Sequence, residues 1–442
     1  MNQRDTLYIN QSGRLIIGGC DAGDLAREFS TPLYVMDEAY IENAAAEMKR
    51  ALNEVYPDSL IAYASKAFAC KAMYGLVSRL GLGADVASGG ELYTALSAGF
   101  NPKMLYFHGN NKTAPELDEA VKAEIHAVVI DSLDEITALN AAAAAANKKQ
   151  GVLIRVNPLI EADTHRFIQT ACVDSKFGFS IENGAGEAAV KKILAQKNLQ
   201  FLGIHCHIGS QIFDIEFFTR AVDKMTDFIA ALTKSLGVSV RELNMGGGFG
   251  VAYTASDTPP AAQEFIRAIA QKLKDCIAQK KIAPPRLIVE PGRSLAAQAG
   301  VTLYTVGAVK DIPNVKKYVA VDGGMFENPR YALYNARYEV ALALKAHLPA
   351  ADTVCIAGKC CESGDIIVGE TALQKAEKGD LLAVFCTGAY NYSMASNYNR
   401  NPIPPVVLCK NGSARYMVKP QTYPDIIARD CDYAPSDKEP LS

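Results

Sequence analysis

Leu60-Ile61-Ala62-Tyr63-Ala64, an apolar run of strand length, passes directly into Ser65-Lys66-Ala67. Seven more short β-rich runs follow it: Gly83 to Ala87, Met104 to Phe107, Ala127 to Ile130, Gly151 to Val156, Phe201 to His205, Glu242 to Met245 and Arg286 to Val289. Longer stretches of helical composition separate them between about residue 40 and residue 297. One such stretch, Ile136 to Lys149, holds the alanines 141–146, which lose little side-chain entropy in a helix. Eight strands alternating with helices predict a closed parallel (β/α)8 TIM barrel rather than an open sheet.

In that architecture chemistry gathers at the C-terminal ends of the strands. Here those ends carry Lys66, Ser88, His108, Asp131, Asn157, His207, Gly246 to Gly248, and Glu290 with Arg293. Beyond about residue 298 the texture changes. Val301 to Val309, Tyr318 to Val321, Leu381 to Phe385, Pro405 to Leu408 and Ala414 to Val418 read as strands without regular helices between them. The expected division is therefore an α/β barrel over 34–297 and a mainly-β sandwich or barrel domain over 298–442. Residues 1–33, with strand-like Leu7 to Ile9 and Arg14 to Ile17, are expected to join the second.

Composition narrows the function. The 45 Lys and Arg against 48 Asp and Glu give a net charge of −3, and no stretch concentrates positive charge, so nucleic acid and anionic membrane are not expected partners. No apolar stretch approaches the roughly 18 residues of a membrane span. A cytoplasmic location is expected. The eleven cysteines are scattered and form no C-x-x-C pair, which suggests free thiols rather than a disulfide framework or zinc knuckle.

Each motif carries a plain and a chemical reading. Lys66 after an apolar strand is commonly a solvated strand end; at a barrel mouth, desolvation frees its amine for a Schiff base with an aldehyde cofactor. His205-Cys206-His207-Ile208-Gly209-Ser210 places two histidines on one face of a strand. No third ligand stands at a convincing spacing, so His207 stacking on a planar cofactor is preferred to a metal site, with Ser210 offered to a phosphate. Gly246-Gly247-Gly248 after the seventh strand lets backbone approach a phosphate, although it lacks the dinucleotide spacing. Glu290-Pro291-Gly292-Arg293 is either a structural ion pair or a carboxylate for a pyridine nitrogen beside an anion-binding arginine. Cys360-Cys361-Glu362-Ser363-Gly364-Asp365 is less core-like than a buried cysteine, and a thiol there can donate a proton.

Together these segments resemble the fold type III, alanine-racemase-like pyridoxal-phosphate decarboxylases over nearly the whole chain, and within them the diaminopimelate decarboxylases. The resemblance implies pyridoxal 5'-phosphate as cofactor, carried by Lys66, with His207 on its ring and Glu290 at its nitrogen. Ser88, Ser210, Gly246, Gly247, Gly248, Gly292, Arg293 and Tyr390 are implied around it. It further implies that Arg293, Arg330, Tyr334, Glu362 and Tyr390 contact substrate, and that Cys361 is the proton donor. Cys361 and Glu362 are implied to reach the site of a partner subunit, giving a homodimer with shared active sites. Thr164 to Thr170, leading into Ser175 to Gly178, resembles the family's diaminopimelate loop, with Ala171 in place of its usual glycine. Arg400-Asn401-Pro402-Ile403-Pro404 replaces an Arg-Pro-Arg-Pro run. The implied reaction is meso-2,6-diaminopimelate to L-lysine and carbon dioxide. The alternatives are decarboxylation of another basic amino acid such as D-ornithine or D-lysine and, from a different class, a catalytically silent cofactor-binding homologue.

Overall fold

The computed structural model describes residues 4–160 and 176–433. Eight parallel strands, Ser59–Ala64, Gly83–Val86, Leu105–Phe107, Ala127–Ile130, Gln150–Asn157, Leu199–His205, Glu242–Asn244 and Arg286–Val289, close into a barrel. Each agrees with its sequence run to within two residues at either end. Closure is made where Leu287, Ile288 and Val289 pair in register with Ser59, Leu60 and Ile61. Leu60, Ala62, Val129, Leu153 and Ile288 meet inside the barrel. Ile61, Tyr63, Val128, Ile130 and Ile154 pack outward into the helical layer. Burial on both faces is why these strands read as almost unbroken apolar runs. The alanine-rich helix spans Leu133–Ala145: the Ser132 hydroxyl accepts the Glu135 N–H at 3.3 Å and starts it ahead of Ile136. It stops short of Lys149 because Asn147 turns left-handed at φ +52°.

The second domain is mainly β. Its main sheet runs Ile366–Leu373, Asp352–Ala357, Lys316–Val321, Gly300–Ile312, Leu33–Asp37, Val406–Lys410 and Ser413–Val418, with Leu381–Phe385 and Val340–Leu342 attached alongside. Leu7, Leu15 and Ile17 of the N-terminal segment share a core with Val301, Leu303 and Val407. One boundary differs from the sequence reading. Leu33–Asp37, assigned there mostly to the barrel, lies in the β domain, where Val35 pairs antiparallel with Val301 and parallel with Val407. All five of its residues are buried because Leu33 and Val35 pack into the β-domain core while Tyr34 and Met36, on the other face, pack against the barrel's helical layer. The barrel proper begins with helix Glu38–Val55, capped by Asp37.

Glu327 is buried in this domain, a few residues before the short helix Arg330–Tyr334. Its Oε1 accepts the Tyr304 hydroxyl at 2.6 Å and the Gly324 N–H at 3.1 Å, and it has no ion-pair partner among the described residues. Burial pushes its carboxyl up to about 8, against the hydrogen bonds that lower it and with help from nearby Asp365. An acid whose pKa is higher in the folded chain than in the unfolded chain opposes folding progressively as pH rises between the two values, and fully above the higher one. Glu327→Gln removes this penalty. The variant is expected to melt with the wild type near pH 4 and to be more stable at pH 8, by at most on the order of 4 kcal/mol. Thermal melts across pH check this, and parallel curves would refute it.

Candidate active site

The strand ends converge on a cavity of about 160 Å³ whose lining includes Lys66, His207, Ser210, Glu290, Arg293 and Tyr390. Lys66 leaves the first strand in the single turn Ser65–Ala67, which is held by the Ser65 N–H donating to Asp85 at 2.9 Å. The Tyr390 N–H donates to the Ala67 carbonyl at 2.6 Å, bringing that tyrosine from the β domain onto the barrel mouth. Lys66 itself is exposed, so this chain alone does not supply the expected desolvation: the cavity opens to solvent at its side.

Glu290 is the electrostatic centre. Its carboxylate accepts Asn244 Nδ2 at 2.6 Å and lies 2.9 Å from His108 Nε2 and 3.2 Å from His205 Nε2. Burial alone raises a carboxyl, but the two imidazoles outweigh it and hold Glu290 well below the usual carboxylate range. Asp85, across the same cavity, goes the other way: burial and the Glu290 charge push it well up, against Lys66. Burial lowers His205 to about 4, against the pull of Glu290, and lowers His207 as well. His108, His205 and Glu290 have ligand atoms within 4.8 Å of one another. The sequence reading saw no third ligand because it paired His205 with His207, whereas folding pairs it with residues from two other strands.

The phosphate-sized corner is built by Ser210, Arg293 and the glycine turn. Arg293 donates to Ser210 Oγ at 2.9 Å and to the Tyr253 hydroxyl at 2.5 Å, while its buried Nε has no partner. A Cβ on Gly247 would stand 2.0 Å from the Glu290 carbonyl, and one on Gly248 2.1 Å from that of Gly209. A second cavity, about 190 Å³, adjoins at Arg293 and takes in Arg330 and Tyr334. Arg330 is buried, its Nε unpartnered, with its guanidinium 5.1 Å from the Tyr334 ring centre and 5.2 Å from that of Tyr390.

Some expected residues lie elsewhere. Ser88 caps helix Gly89–Ser97, its hydroxyl accepting the Glu91 N–H at 3.2 Å, and does not line the cavity. Gly246 shapes the turn from behind, its N–H donating to Asn244 Oδ1 at 2.9 Å. Gly292 lines the cavity as expected. Cys361 and Glu362 are exposed and outside this chain's cavity. The stretch Thr164 to Thr170 lies outside the described residues. Asp85, Arg155, Asn244 and Tyr253 join the site without having been singled out, and His205, read only as a neighbour of His207, joins it through Glu290. Asp85 and Arg155 had a signal, a lone charge within a run otherwise buried on both faces.

An exposed lysine at a barrel mouth, an ionised carboxylate and an imidazole lining the same cavity, and a cradle too tight for any Cβ fit pyridoxal phosphate. Barrel, site and β domain together define a pyridoxal-phosphate-dependent decarboxylase. The family described as pyridoxal-dependent decarboxylase, pyridoxal binding domain, matches residues 39–297. The diaminopimelate decarboxylase of Bacillus methanolicus is 47% identical over 414 residues, 94% of this chain and 96% of that protein. That of Bacillus subtilis (strain 168) is 47% identical over 424 residues, 96% and 97% of the two chains. The crystal structure of the diaminopimelate decarboxylase from m. jannaschii in complex with L-lysine superposes with a TM-score of 0.90 at 37% identity, covering 97% of this chain and 98% of that one. The chain belongs to the diaminopimelate decarboxylase family, and its cofactor is pyridoxal phosphate. Among the described residues no helix is long and apolar enough to cross a membrane.

Gly247→Ala is expected to weaken pyridoxal phosphate binding by about tenfold or more, because the new methyl displaces either the Glu290 backbone or the cradle. Fluorescence titration of the stripped enzyme measures it, and an unchanged Kd would contradict the cradle.

Proposed function

We propose that this enzyme decarboxylates meso-2,6-diaminopimelate to L-lysine and carbon dioxide in the cytoplasm, as a homodimer whose active sites are shared between subunits. The observation that carries the substrate is Arg330: a buried arginine against the Tyr334 and Tyr390 rings, with no ion-pair partner among the described residues, beside a cofactor cavity that also holds Arg293. A buried guanidinium without an anion is costly until a carboxylate arrives. A diacid has a carboxylate to spare for it after presenting the other for cleavage; lysine and ornithine do not.

Pyridoxal phosphate, when bound, supplies the electron sink for the pair left by departing carbon dioxide. The protein's part is to position and to manage protons. Lys66 offers its amine at the cavity mouth, where it would hold the cofactor. Glu290, kept ionised by His108 and His205, would hold a proton at the cofactor's ring nitrogen. His207 lines the cavity wall, where it would lie against the cofactor ring, Ser210 and Arg293 would take the phosphate, and Tyr390 and Tyr334 flank the arginine that would hold the distal carboxylate. The partner subunit's Cys361 returns a proton to the substrate carbon, and the partner subunit's Glu362 takes the distal ammonium. The support for this sharing is that both residues are exposed here and absent from their own chain's cavity.

Carbon dioxide release from meso-diaminopimelate, D-ornithine and D-lysine tests the reading. Release from the first alone is expected, and release from none would mark a silent homologue. Arg330→Lys should raise the diaminopimelate KM at least about tenfold while leaving cofactor affinity within about twofold, since a point charge cannot reproduce a bidentate fork. Unchanged kinetics would remove Arg330 from the substrate site.

Subunit sharing has its own check. Lys66→Ala and Cys361→Ala homodimers should each be nearly inactive. After random exchange, half of the dimers are mixed and half of their sites intact, so activity should return to about a quarter of wild type. Exchange confirmed by a tag without recovery would place Cys361 in its own chain's site.

A further inference from the structure

The Cys361 motif ends on Asp365, to which the reading above gives no task. Residues 361–364 are exposed, yet Asp365 is only 2% exposed. Its Oδ2 accepts the Cys360 N–H at 2.7 Å, and its Oδ1 accepts the Met325 N–H at 2.6 Å. No lysine or arginine pairs with it among the described residues, so the carboxylate is held by backbone donors from two separate loops. The slot is cut for it: a Cβ on Gly358 or Gly324 would stand 2.2 or 2.7 Å from Oδ2. Backbone reinforces the contact, the Lys359 N–H donating to the Gly323 carbonyl at 2.9 Å and the Gly358 N–H to the Asp365 carbonyl at 2.9 Å.

The two loops lead to different places. From Met325 the chain turns back on itself, with the Glu327 and Asn328 N–H groups both donating to the Gly324 carbonyl, and then enters the helix that begins at Arg330. Tyr304 and Tyr34 hold Glu327 in the middle of that path. From Cys360 the chain runs straight to Cys361, whose N–H donates to Asn399 Oδ1 at 2.8 Å. No free length separates the Asp365 carboxylate from either functional side chain.

We propose that Asp365 is a positioning residue that locks the Arg330 segment and the Cys361 loop into one rigid unit. The arginine that a chain uses in its own site and the thiol it lends to its neighbour's site are then set by one carboxylate. The second half of this statement rests on the shared-site reading. Asp365→Asn retains the shape but offers an amide N–H₂ to one of two backbone N–H donors, so one buried donor loses its acceptor and one loop is released.

Tagged mixed dimers, loaded with pyridoxal phosphate, separate the two effects. In the first, one chain carries Asp365→Asn and the other Lys66→Ala; the single working site then has its own Arg330 on the altered chain and an unaltered thiol. KM for diaminopimelate should rise at least about tenfold there while kcat stays within about twofold. In the second, one chain carries both substitutions and the other is wild type; the working site then has an unaltered Arg330 and a thiol from the altered chain. Here kcat should fall about tenfold and KM should hold. Wild-type kinetics in both dimers, or the same loss of kcat and KM in both, would overturn the lock. Both parameters changed in the first dimer with the second at wild type would instead overturn subunit sharing and leave the lock within one site. If Asp365→Asn does not assemble, Asp365→Ser, which keeps one acceptor without the misplaced donor, is carried through the same two dimers with the same expectations.

Discussion

The pairing of Arg286–Val289 with Ser59–Ala64 closes the barrel, and the site exists only because that seam is in register. Past the last paired residues the backbone contacts continue, Ala64 N–H to the Pro291 carbonyl at 3.3 Å and Glu290 N–H to the Gly246 carbonyl at 2.7 Å. They fix the first strand's exit against the eighth, so Lys66 and Glu290 face one cavity from opposite ends of the sequence. A slip of one residue would exchange the inward and outward faces of the whole strand and bury Ile61 where Leu60 now sits. On its other side Glu290 draws Asn244 and His205 from the two neighbouring strands, and closure brings His108 to it across the ring.

Within that frame the electrostatics divide the work. Two buried carboxyls share a cavity, and their surroundings separate them: Glu290 gains imidazole and amide partners and stays charged, while Asp85, facing that charge, is driven toward its neutral form. Opposed shifts of this kind are how one pocket holds a fixed anion and a proton reservoir together. The arginines follow a second rule. Arg293 and Arg330 are buried against tyrosine rings, and neither has a carboxylate ion-pair partner among the described residues. Aromatic faces steady a guanidinium without neutralising its charge, which leaves it able to attract anionic groups.

Much of this was legible in the chain. The barrel strands are short, apolar and separated by helices, so local pattern sufficed, and the strand-end residues Lys66, His207, Glu290 and Arg293 followed from position alone. The β domain was read less fully. Val340–Leu342 is short, Ile366–Leu373 alternates between buried and exposed faces, and Leu33–Asp37 looks like any barrel strand until its partners are known. Ser88 stands at a strand end but also directly before a helix, and the cap took its hydroxyl. The His108, His205 and Glu290 cluster could not be read from spacing, because its members lie on three strands and His108 meets the other two only across the closed ring. Asp85 and Arg155 carry a weaker signal, a single charge within a strand that is otherwise apolar and buried.

The place of Leu33–Asp37 makes the barrel an insertion. The strand lies at the middle of the β sheet, between partners contributed by residues 300–303 and 406–409, and the whole barrel is spliced between it and them. On the ribosome, the centre of that sheet is therefore made first and must wait, unpaired on both edges, while the barrel is synthesised and folds. The barrel is the unit that can be completed early. The β domain is finished only when the segment around Val407 emerges, so an incomplete chain carries a finished cofactor barrel and an open sheet with exposed edges. Quality control acting on unpaired strand edges would then recognise unfinished copies by a region remote from the cofactor.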